Sequence, residues 1–205
     1  MNKLKSDNYG LLVVISGPSG VGKDTVLNKL RLSHPDYHFA ITVTTRQKRS
    51  EEIDGTHYAF VDQRAFKSMI DNNEFMEWSE VYGNLYGVPI SSVKGALSQG
   101  NDVILKIDVQ GADKIRVICP EALFLFLAPP DMEKLKYRLL GRGSDSQNDT
   151  TLRLEEAGKE IERASLYDHI VVNEENNLPR TVEKINNIII SEKNRIPTRK
   201  MFTEI

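Results

Sequence analysis

Three groups of residues in this sequence have the types and spacing to do chemistry on phosphate. The first is Gly17-Pro-Ser-Gly-Val-Gly-Lys23, a G-x-x-x-x-G-K run comprising Gly17, Pro18, Ser19, Gly20, Val21, Gly22 and Lys23. Glycines there let backbone N–H groups turn inward and approach phosphate oxygens with no Cβ in the way. Lys23 can then reach between the outer phosphates of a nucleoside triphosphate and offset charge during transfer. The second group is Arg46 and Arg49, followed by the Tyr58 hydroxyl. A planar arginine fork pairs phosphate through two N–H···O bonds, so these residues make a local anion clamp. Alone they would read as a solvated charged loop. Beside a triphosphate loop they read as the second phosphate site that an acceptor requires. The third group is Arg138, Arg142 and Arg153, which flank the polar stretch Gly141 to Thr150. Phosphoryl transfer gathers negative charge on equatorial oxygens, and an arginine delivered there is worth roughly 10³–10⁵ in rate.

Elements of a definite kind must hold these groups. Gly10 to Ser16 is a short β-branched apolar run that reads as a buried strand, and Thr25 to Leu32 has helical apolar spacing that stops at Ser33-His34-Pro35. Strand, glycine loop and helix in that order put the helix's partial positive charge on the phosphates. Further buried strands are expected at Asp102 to Ile107, Ala122 to Leu127 and His169 to Val172. Helices are expected at Val88 to Gln99, Gln110 to Ile118, Asp131 to Leu140, Leu152 to Tyr167 and Leu178 to Lys193. Alternation of this kind predicts parallel pairing in a sheet covered on both faces. Thr42 to Val88 breaks the rhythm with polar, aromatic, partly alternating residues, as a small mixed β insertion would. Gly141 to Thr150 reads as a mobile loop, and the tail Asn194 to Ile205 as frayed.

Composition narrows the setting. The 205 residues allow one compact domain with small subdomains, and 40% hydrophobic residues support a core. Lys and Arg number 27 against 29 Asp and Glu, a net charge of −2, so no global basic field exists for nucleic acid. Anion binding must be local. Apolar runs such as Leu11 to Ile15 and Ala122 to Ala128 are too short for a bilayer, and Met1 to Gly10 carries no secretory apolar region. The single Cys119 rules out an internal disulfide, and a cytoplasmic protein is the plain expectation. Oligomeric state is open.

At one position the phosphate loop departs from its usual form. Asp24 follows Lys23 where a hydroxyl residue normally ligates Mg²⁺, and the hydroxyl arrives one place later, at Thr25. Asp24 either faces the magnesium shell through water while Thr25 bonds a phosphate, or is an acidic first-turn residue with Mg²⁺ held mostly by phosphates and water.

The middle of the chain is the most specific part. TTRxxRxxExxGxxYxF from Thr44 to Phe60, EFMEW at 74–78 and NLYG at 84–87 accompany GPSGVGK at 17–23, with IDVQGA at 107–112, FLAPP at 126–130, GRG at 141–143 and VVN at 171–173. In these motifs, which span nearly the whole sequence in order, the chain resembles the guanylate kinase family. The resemblance implies a P-loop α/β fold of three layers with a five-stranded parallel sheet, a small mixed-β GMP-binding insertion at 42–90, a helical lid at 134–162 and a core of 1–41, 91–133 and 163–205. It implies transfer of the γ-phosphate of ATP to GMP, with dGMP a further acceptor, and Mg²⁺ as the ion. Arg46, Arg49, Tyr58 and Tyr86 would hold the GMP phosphate, Glu52 would orient the arginines, Thr42 and Glu77 would read guanine, and Asp108 would lie near the acceptor. Lys23, Arg46, Arg142 and Arg153 would stabilise the transferring group, while Gly17 to Thr25, Arg138 and Asn173 would bind ATP.

Glu77 can also be argued from chemistry. Guanine's N1–H and 2-amino group are adjacent donors, and an ionised carboxylate is an acceptor with two oxygens. Adenine has neither donor there, and such hydrogen-bonded sites reject the wrong analogue by roughly 10⁴–10⁵. The plain alternative is a solvent-facing residue on an alternating strand between Met76 and Trp78. The chain also differs from the family's usual pattern. Lys106 stands where an acidic residue is common, and Leu85 and Val88 replace a Tyr and a hydroxyl residue. Two rival functions are a ribose-bisphosphate kinase, whose phosphate loop can carry Asp after the lysine, and a non-catalytic protein-binding module of the same fold. Glu77 argues against the first, and the intact Lys23 and glycines argue against the second. The four histidines lack metal-ligand spacing, Cys119 reads as a small buried hydrophobe, Asp131 as a helix N-terminal residue, and Phe75 and Trp78 as the insertion's core.

Overall fold

The computed structural model describes residues 10–140 and 147–195. In chain order its elements begin with β1 (Leu12–Ser16), α1 (Lys23–Ser33), β2 (His38–Phe39), β3 (Val43–Thr44), β4 (Ala59–Phe60) and α2 (Gln63–Asp71). Next come β5 (Phe75–Val81), β6 (Asn84–Pro89), α3 (Ser91–Ser98), β7 (Val103–Lys106), α4 (Val109–Ile118) and β8 (Leu123–Ala128). The chain continues with α5 (Met132–Leu140), α6 (Gln147–Glu162), a 3₁₀ turn (Arg163–Leu166), β9 (His169–Val172) and α7 (Leu178–Lys193).

The main sheet has five strands in the order β2-β7-β1-β8-β9, and every pairing in it is parallel. Its central strands are buried on both faces, which is why β1 and β8 read as unbroken apolar runs. One face packs Leu12, Val14, Leu105 and Phe126 against α3 and α4 residues such as Val93 and Ile115. The other packs Val13, Ile15, Ile104 and Leu125 against Val26 and Leu30 of α1 and Ile185 and Ile189 of α7. The layered α/β architecture expected from the alternation is present. A second sheet, β4-β3-β6-β5, mixes parallel and antiparallel pairs between Val43 and Pro89.

Several local expectations need correction. Val88 does not start a helix: it pairs with Glu77 in the β5–β6 hairpin, and α3 begins after it at Ser91. Its apolar side chain belongs to a buried strand face, which helical spacing alone could not distinguish. Within the insertion lies an unforeseen helix, α2, capped by Asp62 accepting from Ala65 N at 2.7 Å. Phe75 stacks on Phe66 of that helix at 4.6 Å, as an insertion core requires, but Trp78 is 39% exposed with the Lys114 ammonium over its ring. Helix α6 starts at Gln147, so the expected loop over Gly141 to Thr150 is helical in its last four residues, and its residues 141–146 lie outside the described part. Asp131 caps α5, accepting from Lys134 N at 2.7 Å. Cys119 is buried. Of the tail, residues 196–205 are outside the described part.

Candidate active site

The carboxyl ends of β1 and β7 lie side by side, Ile15 level with Lys106, and both chains turn there into loops that open helices. After β1 the glycine loop runs into α1, whose N-cap is Gly22 at φ 97°. That left-handed conformation favours glycine, and a Cβ there would also meet the Asn173 side chain at 2.7 Å. After β7, Asp108 caps α4, with Oδ1 accepting from Gln110 N at 2.8 Å and Gly111 N at 3.0 Å. A cleft of about 1100 Å³, counting its open mouth, lies between these loops and the second sheet.

Every residue of the glycine run from Gly17 to Asp24 lines this cleft. Lys23 donates to the carbonyls of Gly17 at 2.5 Å and Pro18 at 3.2 Å. Burial lowers its pKa, against the opposing pull of Glu160, Asp24 and Asp108. An ammonium whose charge burial disfavours gains from an incoming phosphate. Ser19 N donates to Glu160 Oε2 of α6 at 3.4 Å, so a carboxylate occupies one amide of the loop. Glu160 carried no signal in the sequence; only the packing of α6 reveals it.

Thr42, Arg46, Arg49, Tyr58, Glu77 and Tyr86, from the segment that carries the second sheet, line the same cleft, as does Asp108 after β7. Arg46 makes the forked pair with Glu52, NH2 to Oε1 at 2.6 Å and NH1 to Oε2 at 3.1 Å, and Glu52 Oε2 also accepts from Arg49 N at 2.8 Å. Burial works against both charges, but the hydrogen bonds outweigh it, raising the Arg46 pKa and lowering that of Glu52. Glu52 itself does not line the cleft; it sits behind Arg46 and fixes the turn that carries Arg49. Arg46 lies 5.4 Å over the Tyr58 ring, and Tyr58 meets Tyr86 edge-on at 6.1 Å.

Glu77 is 4% exposed, which excludes the solvent-facing alternative. Its Oε2 is buried with no hydrogen-bond partner among the described residues. Burial and then Asp108 push its carboxyl up to about 8, Lys114 opposing. A Cβ on Gly111 would stand 3.0 Å from all three carboxyl atoms, so the glycine makes room for this group. Ser79, two residues on and on the same face of β5, donates to Asp108 Oδ2 at 2.8 Å. Sequence reasoning passed over Ser79, although its period-two spacing from Glu77 marks it.

The remaining expected residues divide. Arg153 lines the main cleft and stacks over Tyr82 at 4.9 Å. Thr25, Arg138 and Asn173 line a second recess behind the loop, with Arg138 NH1 and Asn173 Nδ2 donating to Val21 O at 3.0 and 2.8 Å. Asp24 lines the main cleft and Thr25 the second recess. Arg142 lies outside the described residues. Among the described residues no cluster of three or more His, Cys, Asp or Glu could cage a metal ion. Oxygen donors Asp24, Asp108 and Glu160 nevertheless face the loop end of the cleft, which suits a magnesium ion carried on phosphates with most of its waters kept. No described helix is long and apolar enough to cross a membrane.

Comparison with known proteins gives a consistent result. The family model described as Guanylate kinase matches residues 9–192. A guanylate kinase of Clostridium perfringens (strain 13 / Type A) is 44% identical over 200 residues, covering 98% of this chain and 92% of that protein. Among solved structures, guanylate kinase from Anaplasma phagocytophilum superposes with a TM-score of 0.76 at 34% identity, covering 91% of this chain and 88% of that one. The SH3-kinase fragment of tight junction protein 3 reaches a TM-score of 0.51 at 14% identity over 91% of this chain and 59% of that one, a likeness of fold alone.

Proposed function

The chain belongs to the guanylate kinase family, and from that premise we propose how its cleft moves the γ-phosphate of ATP onto GMP. It is an ATP:GMP phosphotransferase, a nucleoside-monophosphate kinase. ATP lays its phosphates on the amides of Gly17 to Lys23, and Lys23 leaves the Gly17 and Pro18 carbonyls for the β- and γ-phosphates. Its adenosine end takes the recess lined by Thr25, Arg138 and Asn173. GMP binds opposite, its phosphate on Arg46, Arg49, Tyr58 and Tyr86 and its base on Thr42 and Glu77, with Asp108 beside it. Glu52 acts through Arg46, holding the fork in one plane.

An anionic oxygen of the GMP phosphate then attacks the γ-phosphorus in line. The new P–O bond forms as the bond to the β,γ-bridging oxygen breaks, and ADP leaves with that electron pair. No general base is needed, because the attacking oxygen is already ionised. Catalysis is positioning plus charge stabilisation by Lys23, Arg46, Arg153 and Arg142. Mg²⁺ borne by ATP supplies further neutralisation of the β- and γ-phosphates. Asp24 stays outside these contacts as an acidic first-turn residue whose carboxylate holds Lys106 at 2.5 Å, and the ion would be held mostly by phosphates and water. The segment 42–90 is the acceptor-binding unit and 134–162 the lid, closing over ATP to exclude water. The contacts assigned to GMP fall on phosphate and base, so dGMP serves as a second acceptor. We place the enzyme in the cytoplasm, with ATP and GMP.

One observation carries the acceptor's identity: the buried Oε2 of Glu77, without a hydrogen-bond partner among the described residues, on a side chain that lines the cleft. A sugar bisphosphate has no use for it, and a protein-binding module no reason to keep it. Glu77→Ala is expected to lose GMP turnover by about 10³ or more while ATP affinity stays native. A coupled assay with calorimetry for ATP checks both, and near-native GMP turnover would defeat the assignment.

A further inference from the structure

Lys106 stands where the two halves of the cleft meet, and the scheme above gives it no role. It ends β7 in register with Ile15 of β1, so its side chain leaves the sheet level with the start of the phosphate loop. Its Nζ lies 2.5 Å from Asp24 Oδ1 and 3.9 Å from the centroid of the Tyr58 ring. Asp24 follows Lys23 in the first turn of α1, while Tyr58 belongs to the acceptor clamp beside Arg46. The Lys106 side chain is 15% exposed against 49% for Asp24, so the ammonium depends on these partners more than on water.

We propose that Lys106 is a positioning residue that ties the donor loop to the acceptor clamp, its ammonium holding the Asp24 carboxylate on one side and the face of Tyr58 on the other. On the donor side the pair neutralises a carboxylate that would otherwise stand beside the incoming triphosphate. On the acceptor side the cation on the ring face restricts Tyr58, from which the hydroxyl reaches the GMP phosphate. A cut on either side is therefore felt on the other. The inference rests on the assignment of ATP to the loop and of GMP to the clamp.

Calorimetry of each nucleotide separately, ATP with Mg²⁺ and GMP alone, separates the possibilities. The native protein comes first: failure to bind both would overturn the site assignment itself, whereas the variants test only the strap. Asp24→Asn is expected to bind ATP within about threefold of native yet to weaken GMP by about threefold or more, a cross-site effect of the strap. Lys106→Met is expected to weaken ATP by about tenfold and GMP by about threefold or more. Adding Asp24→Asn to Lys106→Met should restore ATP affinity and leave GMP affinity weak. Lys106→Arg, which keeps the cation, should bring both nucleotides within about threefold of native. Should Lys106→Met not fold, Asp24→Asn decides alone. Unchanged GMP affinity in Asp24→Asn, ATP affinity reduced in it as strongly as in Lys106→Met, or a double variant no better than Lys106→Met for ATP would each overturn the proposal. A purely structural pair would lower the melting temperature and leave both affinities native, which overturns it equally.

Discussion

Glu77 combines near-complete burial, an oxygen without a hydrogen-bond partner among the described residues and a neighbouring Asp108, and its carboxyl is pushed up to about 8. The empty folded protein therefore keeps a proton there that the unfolded chain releases above its ordinary value of 4.5. The stability tied to this carboxyl is full below that value and is lost as pH rises through about 8. On the proposed contact between Glu77 and guanine, the base's two donors require the ionised form, and GMP binding is expected to expel the proton. Titrations at about pH 7 in buffers of different ionisation enthalpy should show about one proton released per GMP at this site, and Glu77→Gln should abolish that release. Equal release by native protein and variant would contradict this reading. Glu77 and the Arg46–Glu52 pair were legible in sequence because each falls in a short, patterned motif, 74–78 for the first and Thr44 to Phe60 for the second. The Lys106–Asp24 pair was not, since its members are 82 positions apart and only the pairing of β7 with β1 brings them together.

Helix α4 shows how an element can be shaped for its neighbour. Gly111 lies in its first turn, where alanine would normally favour the helix by up to about 1 kcal/mol. Here a Cβ meets the Glu77 carboxyl, so Gly111→Ala should keep a melting temperature near native while raising the GMP KM several-fold and leaving the ATP KM alone. Thermal melts with steady-state kinetics would check it; an unchanged GMP KM would show that Glu77 yields freely. The long parallel strands and α7 were readable because burial on two faces, or on one helical face, writes a strong pattern over many residues. Strand β2 has two residues and α2 sits inside a segment dominated by alternation, so neither had a period long enough to read. The start of α3 was misjudged because Val88, buried in a hairpin, supplies an apolar position that fits either period.

At the scale of the whole molecule, the parallel sheet brings the carboxyl ends of β1 and β7 together, while the second sheet carries Glu77 and Tyr86, and Arg46 on the loop after β3, to the same cleft. Open α/β sheets bind ligands at such strand ends, and here the glycine loop shares one cleft with Arg46 and Arg49, the proposed triphosphate and acceptor sites. The layered fold was legible from alternation alone, but the facing of the two sites depends on how the insertion folds back, which only the three-dimensional arrangement shows. The account's central claim is that this cleft accepts a guanine monophosphate. Its most direct test is the rate of ADP formation from ATP·Mg²⁺ with GMP, AMP, UMP or ribose bisphosphate as acceptor. The account predicts that kcat/KM for GMP exceeds that for AMP by about 10⁴. Turnover of AMP, UMP or the sugar bisphosphate as readily as GMP would contradict it.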